Sequence, residues 1–401
     1  MALALALKAQ EKKYGYILYA LHVNHKLRPE SDEEAQKVQE WMAQSDIPCI
    51  ILDWHHPKIK TKIQQAARDS RYELLSNACK AKGIKAVFLA HHKEDQYETI
   101  LYRLSCATGM DGLAGIPPMS IKNNIPYIRP FLKVSKNDLI QYLGNHPYIE
   151  DPSNKNAAYT RIKFRQATDY LSSLGLTIES LTEVADKAAK NRILTDEFAS
   201  QALEKYAEIN PLGYAVLTPT LFKETNPEIH ARVLENLLMK IGGNTSFLRQ
   251  KNIKEFIEKN CKNLILKGNS IGNCLVRPYQ KKWLIIREPK KIVDKKPVSD
   301  SVCWDNRFLI SGLKNNTEFH IAALGKNWAM YKDFFAEFCP SLPSYFWQTI
   351  PAIYDKNEKV LEIVVQNKGI SDILGKNFKI EFSPYCIRYK SIFDLKKRIP
   401  I

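Results

Sequence analysis

The run AVFLAHHKEDQYETILYRL, Ala86 to Leu104, decides the fold class. Its first five residues are apolar without alternation, which reads as a strand buried on both faces of a parallel sheet. Asp95 to Leu104 reads as the helix that follows, so His91, His92, Glu94, Asp95 and Glu98 stand where strand gives way to helix. Open α/β sheets gather ligand-binding groups at such junctions. Acidic residues in a first helical turn also suit the helix dipole, so the carboxylates alone have an ordinary explanation. Two adjacent histidines directly after a buried strand do not. Imidazoles can donate to phosphate oxygens and carboxylates can hold Mg²⁺. The spacing is not HExxH and does not suit zinc.

The same alternation extends on both sides. Tyr16 to Val23 is a β-rich apolar run, and Ser31 with Glu34 forms a capping box opening a helix through about Ala43. Cys49 to Trp54 is a short strand. Ile63 to Ala81 is a long helix with Ala67, Leu74, Leu75 and Ala78 near one face, closed by Gly83. A strand near Tyr127 to Ile128 and a helix from Ser135 to Leu143 continue the series. Strand and helix in alternation predict an α/β fold with a doubly wound parallel sheet. Beyond it, helices from Glu179 to about Tyr206 and Ile229 to about Lys240 read as a connector, and β-rich runs such as Phe308 to Ile310 and Val360 to Val365 as a small α+β domain. The expected domains are residues 1–170, a helical connector and central domain over 171–296, and a C-terminal domain over 297–401.

Composition narrows the classes. The chain has 401 residues, too many for one core, and a hydrophobic fraction of 45%. No run approaches the roughly 20 apolar residues of a membrane span. Met1 to Leu7 lacks the basic flank of a signal peptide, and the eight cysteines include no CxxC pair, so a cytoplasmic protein with reduced thiols is expected. The 59 basic against 43 acidic residues give a formal net charge of +16, which points to a polyanionic partner or to a solvated basic surface. Basic residues crowd Lys281 to Lys296 and Lys390 to Arg398.

Three further clusters sit at the ends of apolar runs: HVNHKLR at His22 to Arg28, GMDGLAG at Gly109 to Gly115, and EDPSN at Glu150 to Asn154. Each is weak alone. The first is an ordinary loop composition and the third an ordinary Asx turn. The glycines of the second let backbone approach a ligand. Arg68, Arg71 and Tyr72 on the long helix would by default be a solvated face.

Taken together, HVNHKLRPESDEEA, IQQAARDSRYELL, AVFLAHHKEDQYETILYRL, GMDGLAGIPPM, RPFLKVSKNDLIQYL, EDPSN and TRIKFR stand in the order and at the spacing of the tRNA(Ile)-lysidine synthases, which this chain resembles from Ile17 to Arg165. WDNRF at Trp304 to Phe308 and the stretch from Met330 to Asp355 resemble that family's C-terminal domain. The resemblance implies an adenine nucleotide alpha hydrolase-like fold and an ATP pyrophosphatase of the PP-loop group. Its members adenylate C2 of the wobble cytidine in a tRNA(Ile) with a CAU anticodon, and then join free L-lysine there. It implies ATP and Mg²⁺ as cofactors. Catalytic roles fall on His91, His92, Asp95, Glu150 and Asp151, the last two holding or deprotonating lysine. ATP contacts fall on His22, Asn24, Arg68 and Asp95, with Asp95 the Mg²⁺ ligand. Arg28, Arg161, Lys163 and Arg165 would meet tRNA. A homodimer and no membrane association complete the expectation.

The chain departs from the family pattern in places. Glu94 stands where Asp is usual, and Ile162 and Lys163 where Asn and Arg are usual, which weakens planar phosphate contact at 163. Family members also carry a strand and an SGGxDS phosphate loop before the helix that MALALALKAQ resembles, and Met1 stands just after that loop's place. A start assigned late in the gene and a true truncation both account for this, and truncation predicts an unstable sheet with little ATP turnover. The competing readings are a catalytically impaired tRNA-binding remnant, a tRNA thiolation enzyme, which would need paired cysteines, and a small-molecule ligase of the same fold.

Overall fold

The computed structural model describes residues 1–56, 63–123, 125–149, 160–244, 248–261, 269–312, 316–338, 341–364 and 379–383. It divides into two compact units, Met1–Ile193 and Leu194–Ile401. The divide falls inside one long helix.

In the first unit the order is α1 (Ala2–Tyr14), β1 (Ala20–Asn24), α2 (Ser31–Gln44), β2 (Cys49–Asp53), α3 (Ile63–Lys82), β3 (Val87–Phe88), α4 (Lys93–Ser105), α5 (Met110–Leu113), β4 (Met119–Lys122), β5 (Ile125–Ile128), α6 (Lys136–Leu143), α7 (Thr160–Gln166) and α8 (Thr168–Ser173). α9 (Ile178–Tyr206) runs across the divide.

β1 and β2 pair in parallel, as do β3 and β5, while β4 joins β5 antiparallel. The expected single parallel sheet is thus two small sheets among the described residues, β1-β2 and β3-β5-β4. Both lie against α3: Tyr72, Leu75 and Cys79 share a core with Val87, Ile125 and Tyr127, and Leu21, Val23 and Leu52 pack onto it. Tyr72 therefore belongs to the buried face of α3, while Leu74 is only half-buried. Among the described residues β3 pairs with β5 alone, and the strand expected to be covered on both faces leaves Phe88 39% exposed.

Of three helix ends read from the sequence, two stand as local chemistry places them and one does not. Gly83 ends α3 at φ 66°, a left-handed conformation that costs glycine little. Ser135 caps α6, its Oγ accepting from Asp138 N at 3.1 Å. The expected Ser31 and Glu34 box is absent: Glu30 is the N-cap of α2 and makes no side-chain cap bond, and Glu34 pairs with Arg28 at 2.8 Å. An opposite charge at hand outcompeted a backbone N–H.

The second unit continues with β6 (Ala207–Asn210), β7 (Tyr214–Leu217), α10 (Leu221–Glu224), α11 (Pro227–Ile241), α12 (Gln250–Cys261), β8 (Asn269–Ile271), β9 (Cys274–Tyr279), β10 (Lys282–Arg287), β11 (Lys296–Val298), β12 (Ser301–Trp304), β13 (Phe308–Ser311), β14 (Asn316–Ala323), α13 (Lys332–Phe338), α14 (Ser344–Trp347), β15 (Pro351–Tyr354), β16 (Val360–Ile363) and β17 (Lys379–Phe382). The region read as a helical connector leading into a mixed central domain contains an antiparallel five-stranded sheet, β6-β7-β10-β9-β8.

Alternation along β10 explains how that sheet is covered. Trp283 and Ile285 pack with Val233, Leu234 and Leu237 of α11. Leu284 and Ile286 pack with Phe335, Phe346, Trp347 and Ala352. Residues on both sides of position 296 thus share one core. Among the described residues no helix is long and apolar enough to cross a membrane.

Candidate functional site

The site is assembled where β1, β3 and β5 end and α3 and α4 begin. The helix after β3 starts at Lys93, two residues earlier than its sequence suggests, because Asp95 Oδ2 accepts from the His92 backbone N at 3.0 Å. Its buried face is fixed by Tyr97, Ile100 and Leu101, which pack with Leu181 and Ala185 of α9. Tyr97 Oη donates to Leu176 O at 3.0 Å. These contacts hold the helix start, and hence His91 and Asp95, in place.

The two histidines behave differently. His92 is occupied, its Nδ1 lying 2.7 Å from Glu94 Oε2. Glu94 in turn accepts from Lys136 N with both oxygens, at 3.1 and 2.9 Å, so its longer arm reaches the first turn of α6. His91 is half-buried and its Nδ1 has no partner among the described residues. Burial lowers its pKa to about 4, and Arg129, Arg68 and Arg71 push the same way while Asp95 opposes them. A neutral imidazole therefore stands in a positive field at pH 7.

That field comes from three guanidinium groups. Arg68 and Arg71 are exposed on the first half of α3. Arg68 lies 3.4 Å from Tyr72 Oη and 5.3 Å from its ring centroid. Arg129 follows β5 and is only 6% exposed. Its Nη1 donates to Pro117 O at 3.1 Å, Ser120 Oγ at 3.1 Å and Tyr127 O at 3.3 Å, and its Nε finds no acceptor. Neither α3 arginine has a carboxylate partner among the described residues. Asp69, the acid beside them, is held by Gln65 Nε2 at 2.9 Å. Burial, then Arg68, lowers the Arg71 pKa, as expected where cations crowd. Cations left together without counter-charges form a place for an anion.

The remaining sequence candidates divide. His22 is the middle residue of β1, its pKa lowered by burial against the opposing charge of Glu34. Asn24 is buried, but its amide is engaged inside the loop: Nδ2 donates to Asp32 Oδ1 at 2.6 Å and Oδ1 accepts from Lys26 N at 3.1 Å. Arg28 pairs with Glu34. Arg165 pairs with buried Glu98 through Nε at 2.7 Å and Nη2 at 2.6 Å, and Lys163 is exposed on α7. Glu150 and Asp151 lie outside the described residues, as does the Arg161 side chain.

The GMDGLAG glycines serve α4. Gly115 sits at φ 64°, and a Cβ there would lie 2.5 Å from Gln96 Oε1. Gln96 brackets Ile116, accepting from its N and donating to its O, and Arg103 Nη1 donates to Gly112 O at 2.6 Å and Gly115 O at 2.7 Å. The close approach is to side chains of the neighbouring helix.

The PP-loop domain family profile matches residues 1–168. The tRNA(Ile)-lysidine synthase of Wolbachia sp. subsp. Brugia malayi (strain TRS) is 31% identical over 369 residues, 89% of this chain and 83% of that protein. This chain belongs to the tRNA(Ile)-lysidine synthase family. Other members match in the same way: that of Wolbachia pipientis wMel is 31% identical over 85% of this chain and 80% of its own length, and that of Orientia tsutsugamushi (strain Boryong) 31% over 79% and 74%. Arg129, which the sequence reading did not single out, and His25, which it named only as part of HVNHKLR, lie in this cluster with Arg68, Arg71 and His91. Arg129 was findable, since it directly follows the apolar IPYI run of β5, where strand-end groups belong.

Proposed function

We propose that this lysidine synthase family member converts the wobble cytidine of a tRNA(Ile) bearing a CAU anticodon into lysidine, using ATP and L-lysine. The cytidine C2 oxygen attacks the α-phosphorus of ATP, and the bond to pyrophosphate breaks with its electron pair on the leaving oxygen. The deprotonated ε-amine of lysine then attacks C2, and AMP departs with that oxygen. The observation that carries this reading is the cluster of Arg68, Arg71 and Arg129, which have no carboxylate partner among the described residues, beside a neutral His91. Fixed positive charge at the leaving group lowers the barrier of the first step, because charge grows on pyrophosphate as the bond breaks.

Asp95 suits Mg²⁺ entering with ATP. Its Oδ2 is used by the helix cap and its Oδ1 is not. Among the described residues no group of three or more His, Cys, Asp or Glu is poised to hold a metal, so phosphate oxygens would complete the shell, as is common for Mg²⁺. When bound, the ion offsets phosphate charge. Glu150 and Asp151 are assigned the lysine ammonium groups and the amine proton, and exposed Lys163 with Arg161 the tRNA backbone. The parallel pairs β1-β2 and β3-β5, both laid on α3, are read as halves of one doubly wound sheet.

The test is incorporation of labelled lysine into tRNA(Ile) with a CAU anticodon. Incorporation that requires ATP, and is lost in Arg71→Gln, supports the assignment. Label entering equally well without ATP, or into a tRNA with another wobble base, overturns it.

A further inference from the structure

His25, in the loop after β1, meets Arg71 on α3 across 46 residues of sequence, Arg71 Nη2 lying 3.2 Å from His25 Nε2. A guanidinium only donates, so Nε2 accepts and the proton of the neutral ring sits on Nδ1. Nδ1 is buried and has no partner among the described residues. The ring is held from two further sides. Trp54 packs edge-on at 5.7 Å and itself lies 4.0 Å from His56, whose Nε2 donates to His25 O at 3.2 Å. This small aromatic layer connects β2 to the loop after β1 and fixes where Nε2 points.

Arginines at structural sites are usually oriented by carboxylates. A carboxylate here would orient Arg71 but cancel the charge that an anion needs. A neutral imidazole orients it and leaves the charge whole. We propose that His25 is a positioning residue of this site, a neutral acceptor that aims Arg71 at the phosphate end of the nucleotide. Burial, with Arg71, His22 and His56 adding to it, lowers the His25 pKa to about 4, which keeps the acceptor present at neutral pH. The inference rests on the nucleotide reading above and adds a residue to it. His25 touches neither nucleotide nor reacting atoms; it acts through Arg71.

The experiment uses the full chain, with ATP and inorganic pyrophosphate as calorimetric probes and thermal unfolding recorded alongside. His25→Phe keeps a ring and removes the acceptor; His25→Gln restores an acceptor. The expected result is about tenfold weaker pyrophosphate binding for His25→Phe and less than about threefold for His25→Gln, at equal unfolding temperature. In an Arg71→Gln background, His25→Phe should change nothing further. Nitrogen-15 spectra of the imidazole should report the Nδ1–H form in the wild type and a mixture in Arg71→Gln. Undiminished binding by His25→Phe, equal loss in His25→Gln, or an Nε2–H imidazole in the wild type each overturns the role of His25. A wild-type chain that binds neither probe instead overturns the nucleotide reading itself, and the inference with it.

Discussion

Replacing Asp305 with asparagine is the sharpest test of how the second unit is held together. Asp305 lies in the WDNRF turn between β12 and β13 at φ 49°, a conformation that asparagine tolerates well. Its carboxylate receives Arg287 Nε at 2.9 Å, Arg287 Nη2 at 2.8 Å and Arg307 Nε at 2.6 Å. All three side chains are 6% exposed or less. One anion thus serves two buried cations, and burial already lowers the Arg307 pKa to about 10. The isosteric amide removes the charge and turns one donor toward two donors. Breaking a buried pair costs about 3–5 kcal/mol, because the cation left behind stays desolvated. For a unit of about 200 residues, at roughly 2–4 °C per kcal/mol, the melting transition should fall by about 10 °C. Chemical denaturation of wild type and Asp305→Asn measures the difference. A combined Asp305→Leu, Arg287→Met, Arg307→Met chain should recover most of it, since apolar replacement leaves no orphaned charge. A loss under about 1 kcal/mol for Asp305→Asn would refute the argument, because no buried cation could then have depended on this carboxylate.

Three further outcomes are expected. Gly115→Ala should destabilise the first unit by about 2–3 kcal/mol, since φ 64° strains alanine and its Cβ forces Gln96 off Ile116; an unchanged denaturation midpoint would refute the clamp. Arg165→Gln should cost about 2 kcal/mol, less than a fully buried pair because its side chain is 43% exposed, and the double variant with Glu98→Gln should recover much of the loss in unfolding experiments. His25 and His91 are held near 4 rather than 6.5, so below pH 6.5 the unfolded chain binds protons that the folded chain refuses. Stability should therefore fall as pH drops from about 6.5 to 4, and not change from this cause above it. Parallel pH series on the wild type and a His25→Gln, His91→Gln variant isolate this contribution, and parallel curves would sink it.

Local features were legible in the chain. The α3 and α6 helices and Gly83 as a C-cap depend on residues within one or two turns and stand close to where the sequence places them, whereas α4 begins two residues early. Pairing across long separations was not legible. The AVFLA run reads as covered on both faces, yet among the described residues β3 pairs with β5 alone and Phe88 is part-exposed. The strands β6 to β10 are short pieces between helices, and they become recognisable only as a sheet whose two faces are buried by different segments.

By itself the sequence determined the family and the positions of the polar clusters at strand ends, because motif order and hydrophobic period are properties of the linear chain. Only the tertiary structure decided which polar groups are already spent. Asn24, His92, Arg28 and Arg165 are satisfied by Asp32, Glu94, Glu34 and Glu98, whereas Arg68, Arg71 and His91 Nδ1 find no carboxylate or carbonyl partner among the described residues. A buried or crowded polar group takes whichever partner the fold brings within about 3 Å, and that partner can lie dozens of residues away. Residue type shows what a side chain can bind; packing determines whether it is still free to do so.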